Sequence, residues 1–178
     1  VVFESRFSTA HIADAARLAL LWKHGGVYSD LDMLMIKSLQ PLVAAQKSGV
    51  GYSYEGWHSI TNSLMIFTPK HHFISLALND LARNYTPSEW ATNGPALILR
   101  TLKSVCHVED IRDMANKSCP GLTLFPEEFF APFRYYDGEL KAAMFETNSM
   151  NAVDMSKLTQ AYTIHYNGHL TKDVRIST

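Results

Sequence analysis

His24-Gly25-Gly26-Val27-Tyr28-Ser29-Asp30-Leu31-Asp32-Met33-Leu34-Met35-Ile36 joins two apolar patterns of different period through a pair of glycines and carries two acids one residue apart. Upstream, residues 9–24 read as a helix. Ser8 or Thr9 is placed to cap its start, Ala and Leu dominate its middle, and Gly25-Gly26 ends it as a left-handed cap requires. Downstream, residues 27–36 read as a strand. Alternation along such a strand puts Asp30 and Asp32 on one face, roughly 6–7 Å apart, with Leu31 and Met33 on the other. Like charges at that distance repel, and the apolar run that follows makes their setting partly dry. A divalent cation would relieve both problems. Oxygen ligation with open positions suits Mn2+ or Mg2+, which also hold substrate phosphates. The plainer alternative for a bare Asp-x-Asp is a solvated strand end.

On the preceding helix Asp14, Arg17, Leu21 and His24 recur at i, i+3, i+7 and i+10, so Asp14 and Arg17 share a face one turn apart. They form either an ion pair worth about 0.2–0.5 kcal/mol or a face that the double-glycine turn presents beside the carboxylates. Further along, Phe73, Ala77, Leu81 and Tyr85 repeat at i+4 and place a helix over 70–85. Another begins at Asn93-Gly94-Pro95, with Pro95 tolerated in its first turn, and runs to about Cys106. Residues 50–54 and 62–67 read as strands, and so do 161–167, after an irregular stretch rich in Pro and Phe. Helices alternating with strands make an α/β domain.

The 178 residues are one domain's worth, enough to bury roughly 70% of the surface of the unfolded chain without a disulfide or structural metal. A net charge of −1 argues against electrostatic binding of nucleic acid. The apolar runs 18–22 and 33–36 fall far short of the roughly 20 residues that cross a bilayer. The chain opens on Val1 with no basic and apolar leader pattern, and is expected to be a piece of something longer. Its two cysteines, Cys106 and Cys119, either stay as buried thiols or pair. Pairing would close a loop of about 14 residues, contribute on the order of 3 kcal/mol and imply an oxidising compartment. The sequons Asn84-Tyr85-Thr86 and Asn116-Lys117-Ser118 lean toward that compartment and make Asn84 and Asn116 candidate glycosylation sites.

The stretch from Asp14 to Asp32, with Asp-x-x-Arg followed by Gly-Gly-x-Tyr-x-Asp-x-Asp, resembles the DXD-containing sugar-binding region of retaining glycosyltransferases. Downstream, Asn93-Gly94-Pro95, the cysteine pair, Phe125-Pro126-Glu127-Glu128-Phe129 and Ile164-His165-Tyr166-Asn167 resemble the conserved region of the α-1,4-glycosyltransferases, in particular the lactosylceramide 4-α-galactosyltransferase group and its insect relatives that transfer N-acetylgalactosamine. Residues 1–40 carry the first resemblance and 70–178 the second, within a single catalytic domain.

The resemblance implies a GT-A-like α/β fold with a mixed central sheet flanked by helices, whose N-terminal part is missing from this chain. It also implies a Mn2+-dependent enzyme (Mg2+ being the alternative ion) that moves galactose or N-acetylgalactosamine from a UDP-sugar to a glycolipid or glycan acceptor. Its place would be the Golgi lumen, as part of a type II membrane protein anchored outside this chain. Carried over by motif, Asp30 lies near the ribose and the metal, and Asp32 coordinates Mn2+ on the diphosphate. Asp14 and Arg17 hold sugar hydroxyls and phosphate oxygens, while Tyr28, Gly94 and Pro95 line the same pocket. His165, on a strand face with Thr163 and Asn167, is either structural or a further metal ligand. Asn93, at a helix start, is either a cap or a site residue. No nucleophile is named; Asn93, Glu127 and Glu128 are the candidates for a polar catalytic residue. Ala91 stands where the family usually has glycine, which bears on the loop before Asn93. The base-contacting strand of such enzymes lies upstream, so residues 1–178 alone are expected to bind donor poorly. Rival readings are a GDP-mannose-dependent α-mannosyltransferase, a Ca2+-dependent glycan-binding module, and an inactive paralogue.

Overall fold

The computed structural model describes residues 5–52, 60–115, 119–136, 138–146 and 153–174. Helix α1 spans Ser8–His24 and starts differently from expectation. Phe7 takes the capping position, neither Ser8 nor Thr9 makes a side-chain cap, and the Ser5 hydroxyl accepts the Phe7 N–H at 3.1 Å. Its end is as read. Gly25 has φ +65° and donates its N–H to the Leu21 carbonyl at 2.8 Å. A Cβ there would also lie 2.5 Å from the Pro69 ring, so glycine is required twice over.

The strand expected over 27–36 is two strands in two sheets. β1 (Gly26–Ser29) is an edge of a four-stranded mixed sheet, and β2 (Met33–Met35) pairs with β6 (Thr163–His165) in a separate two-stranded one. The break comes from competing backbone partners. The Asp30 N–H donates to the Ser63 carbonyl at 2.7 Å and finishes one ladder. The Asp32 carbonyl accepts from the Tyr166 N–H at 3.1 Å and starts the next. Leu31 stands fully exposed at the crossing. Alternation therefore does not relate Asp30 to Asp32.

After the short helix α2 (Gln40–Ala44) come β3 (Gly49–Tyr52) and β4 (Ile60–Phe67), and the large sheet runs β1-β4-β3-β5 with β5 at Thr123–Phe125. β4 is antiparallel to both neighbours, whereas β3 and β5 are parallel. Met65 and Phe67 of β4 join Leu18 and Leu21 of α1, Phe73, Ile74 and Ala77 of α3 (His72–Asn84), and Leu97, Ile98 and Leu102 of α4 (Pro95–Cys106) in the largest core. Leu64 and Ile66 pack with Met33, Leu42, Phe125 and Phe130 in a second one. β4 is thus covered on both faces, which is why its sequence is an unbroken apolar run from Leu64 to Phe67.

Helices α5 (Glu127–Phe130), α6 (Glu139–Phe145) and α7 (Gly168–Thr171) are short and were not legible. Asn167, expected to extend the last strand, lies beyond it with φ +51° and precedes α7. Ala91 is accommodated without a positive φ. The open question at the cysteines resolves to a bridge, Cys106 to Cys119, with Cα atoms 5.2 Å apart.

Candidate donor-sugar and metal site

Arg17 reaches inward from α1, and four residues close around it. Its Nη1 donates to the Asn62 carbonyl at 2.7 Å and reaches Asp30 Oδ2 at 3.4 Å. Nη2 stands 3.3 Å from Asp30 Oδ1 and 3.4 Å from Asp14 Oδ1, and the guanidinium lies 4.7 Å from the centre of the Tyr28 ring. The Tyr28 hydroxyl donates to Asp30 Oδ1 at 2.6 Å. Asn62 Nδ2 donates to Asp14 Oδ1 at 2.8 Å. Asp14, Arg17 and Asn62 are buried, while Asp30 and Tyr28 are partly open.

Gly94 closes the far side. A Cβ on it would fall 2.6 Å from both carboxylate oxygens of Asp14, so α4 begins with no side chain between it and that acid. Pro95 is tolerated just inside the helix, as expected. The structure therefore gathers Asp14, Arg17, Tyr28, Asp30 and Gly94. It adds Asn62, which sequence reasoning missed. The available signal was Asn62-Ser63 directly before the apolar run Leu64–Phe67 of one strand, where a polar side chain needs a buried partner.

Two carboxylates against one guanidinium leave this knot short of positive charge. Burial pushes the Asp14 carboxyl above its ordinary value, opposed by Arg17 and by the Asn62 hydrogen bond. Burial, and the hydrogen bond that Tyr28 gives Asp30, push the phenol far up, so Tyr28 remains a donor.

Asp32 belongs to a different neighbourhood. Its Oδ2 is 3.3 Å from His165 Nε2 and accepts the Gly168 N–H at 2.9 Å. The hydrogen bond with His165 holds the carboxyl below its usual range, against partial desolvation and with help from the His165 charge and Gly168. The expected metal set of Asp30, Asp32 and His165 is not gathered as three. Among the described residues no group of three or more His, Cys, Asp or Glu could hold an ion, and Asp30 is engaged by Arg17 and Tyr28. Asp32 and His165 do fit a metal. Adjacent ligands of an octahedral Mg2+ or Mn2+ at about 2.1 Å stand about 3 Å apart, close to the observed Oδ2–Nε2 spacing.

The polar residues considered for catalysis are placed elsewhere. Asn93 is fully buried, its Oδ1 accepting from the Thr86 N–H at 3.0 Å and its Nδ2 donating to the Thr86 carbonyl at 2.6 Å, so it clasps the 86–93 loop. Glu127 is buried beneath Arg134, whose Nη2 donates to Oε2 at 2.8 Å, and Glu128 is exposed. Asn84 is exposed at the end of α3, and Asn116 lies outside the described residues.

Residues 66–178 match the family model described as the alpha 1,4-glycosyltransferase conserved region, and residues 2–49 match the glycosyltransferase sugar-binding region containing the DXD motif. The chain is similar to lactosylceramide 4-alpha-galactosyltransferase of Pan troglodytes, at 30% identity over 86% of this chain and 40% of the relative. It is similar to the enzyme of that name from Mus musculus at 34% identity, over 68% of this chain and 32% of the relative. The alpha-1,4-N-acetylglucosaminyltransferase of Homo sapiens is 27% identical over 93% of this chain and 45% of the relative. The chain spans less than half the length of these relatives. Among solved structures it is similar to a PaToxG glycosyltransferase, with a TM-score of 0.44 and 19% identity over 61% of this chain and 40% of that one.

Proposed function

The chain belongs to the α-1,4-glycosyltransferase family, and from that premise we propose that it forms the donor-sugar and metal-binding part of a retaining glycosyltransferase. The reaction would move galactose or N-acetylgalactosamine from a UDP-sugar, in α-1,4 linkage, to a glycolipid or glycan acceptor. The observation that carries the reading is the Asp14–Arg17–Asp30 knot sealed by Gly94. An enzyme that must recognise a hydroxylated ring needs fixed acceptors, and this knot fixes two carboxylates before substrate arrives.

Arg17 contributes from beneath. Its guanidinium is committed to Asp30, Asp14 and the Asn62 and Ala13 carbonyls, so it orients acceptors and offsets their charge. Asn62 takes one lone pair of Asp14 Oδ1 and so fixes that buried carboxylate in one orientation. Tyr28 holds Asp30 Oδ1 in the same way at the open rim. Asp32 and His165 would hold the Mn2+ or Mg2+, whose chemistry is to neutralise charge on the departing diphosphate. Neutral His165 and ionised Asp32 are the forms that ligate.

A Golgi lumenal location is part of this proposal. The Cys106–Cys119 bridge supports it, since disulfides persist in oxidising compartments. Among the described residues no helix is long and apolar enough to cross a membrane.

Calorimetric titration of the whole protein with UDP, UDP-galactose, UDP-N-acetylgalactosamine, UDP-N-acetylglucosamine and GDP-mannose tests the reading. Uridine-nucleotide binding that EDTA abolishes and Mn2+ restores is expected, with the hexose ranking naming the donor. Binding of GDP-mannose alone, or of no nucleotide, would overturn it.

A further inference from the structure

A cleft of about 380 Å3 opens between α3 and α4, and none of the donor-site residues lines it. Asn79, Asp80, Arg83 and Asn84 form one wall, Thr101 and Ser104 the other, over an apolar floor of Leu76 and Val105. That volume lies toward the small end of pockets that hold compact ligands. One chain of contacts runs along the cleft. Asn84 Nδ2 donates to Asp80 Oδ1, Arg100 Nε donates to Asp80 Oδ2, and Arg100 Nη1 donates to the Thr92 carbonyl at 2.8 Å. Arg100 Nη2 is buried and has no hydrogen-bond partner among the described residues.

Asn84 stands at the mouth of this cleft as the last residue of α3, exposed, and is the asparagine of Asn84-Tyr85-Thr86. The helix ends at Tyr85, whose φ of −58° and ψ of 127° turn the chain out of the helix, and the Thr86 hydroxyl donates to the Asn84 carbonyl at 3.3 Å. The Cys106–Cys119 bridge places the chain in an oxidising compartment, and asparagine-linked glycans belong to secreted and lumenal chains. We infer that Asn84 carries an N-linked glycan and that its first N-acetylhexosamine settles in the α3–α4 cleft.

The covalent step is transfer from a lipid-diphosphate-linked oligosaccharide to the nascent chain. A bond forms between Asn84 Nδ2 and the anomeric carbon, the anomeric C–O bond breaks, the lipid diphosphate leaves, and the amide nitrogen gives up one proton. One N–H remains on the amide nitrogen. The hydroxyls and acetamide of the sugar then face Asn79, Arg83 and Ser104, with its apolar ring face over Leu76 and Val105. This inference is independent of the proposed transferase activity, because it concerns a sugar received by the chain.

The test is expression of the whole protein in a eukaryotic cell in an Asn116→Gln background, with peptide mass analysis after peptide N-glycosidase in heavy-oxygen water. Heavy-oxygen aspartate at position 84 is expected. Asn84→Gln and Thr86→Ala should each remove one electrophoretic step, and Thr86→Ser should keep it. Because the Thr86 hydroxyl makes only an exposed contact, that pair reads out modification even where Asn84→Gln is poorly expressed. An unmodified Asn84 in folded protein purified from the cell's Golgi membranes would overturn the site. For the cleft, an endoglycosidase that cuts within the glycan core should act at least tenfold more slowly on native than on denatured protein, and Ser104→Trp should erase that difference. Equal rates on native and denatured wild type would overturn the seating.

Discussion

Replacing Gly94 by alanine puts one methyl group where the fold leaves none. The added Cβ would start 2.6 Å from each carboxylate oxygen of Asp14. Ordinary contact begins near 3.4 Å, so Asp14 or the start of α4 must retreat by roughly 0.8 Å. A retreat of that size along the bond from Asn62 would stretch it from 2.8 Å to about 3.6 Å, beyond hydrogen-bonding range. Losing a buried hydrogen bond to a charged group costs about 2 kcal/mol, and Arg17 retains Asp30 as a partner, which limits the loss to that scale. For a domain of this length the midpoint of thermal unfolding should fall by about 4–8 °C. Calorimetry should show UDP-sugar affinity falling by more than UDP affinity, because Asp14 is assigned to the sugar. A Gly94→Ala protein that unfolds within about 0.5 kcal/mol of wild type and keeps its preference for UDP-sugar over UDP would refute both the packing argument and the placement of Asp14.

Asp32→Asn should abolish Mn2+-dependent nucleotide binding with the fold intact, checked by titration alongside circular dichroism; Mn2+ dependence at wild-type strength would remove the metal assignment. The same variant should change the acid limb of stability. The folded pKa of Asp32 is depressed, so its stabilisation is present above the unfolded value near pH 4 and is lost as pH falls through the folded value. Urea unfolding of Asp32→Asn should therefore fall less steeply than wild type on acidification below about pH 4. Asp14, whose pKa is raised, works with the opposite sign: Asp14→Asn should gain stability relative to wild type as pH rises through the carboxylate range, while losing donor-sugar binding. Asn93→Ala releases both bonds to Thr86 and should cost about 1–3 kcal/mol in urea unfolding without altering Mn2+ affinity. Cys106→Ser with Cys119→Ser should cost on the order of 3 kcal/mol, read by the same melts.

What was legible in the sequence was local. Gly25-Gly26 could be read as a helix end because the need for a positive φ is a property of the residue itself, and Pro95 marked a helix start because of its missing N–H. Asp14 and Arg17 shared a face by helical geometry alone. The Asp30–Asp32 strand was misread because period-two alternation assumes one ladder, and the partners that end one ladder and begin another, Ser63 and Tyr166, come from far along the chain. Asn62 was missed for the same reason: its role depends on a helix 48 residues away. Glu127 looked available because its ion pair with Arg134 forms only when the segment after α5 folds back.

The break between β1 and β2 divides the site into halves with different structural debts. The Asp30 half is built by α1, β1, β4 and the start of α4, and among the described residues the contacts that orient it lie in residues 13–94. The Asp32 half depends on residues 165–168, which reach it only after the chain has passed through β5, α5 and α6. Loosening the last strand should therefore abolish metal binding while leaving the Arg17 knot formed. Loosening α4 at Gly94 should impair sugar recognition while leaving the Asp32–His165 pair in place. A short Asp-x-Asp thus joins two pieces whose acids are oriented by different segments of the chain, although Met33 shares a core with Leu64 and Ile66, and Leu31 stands exposed between them.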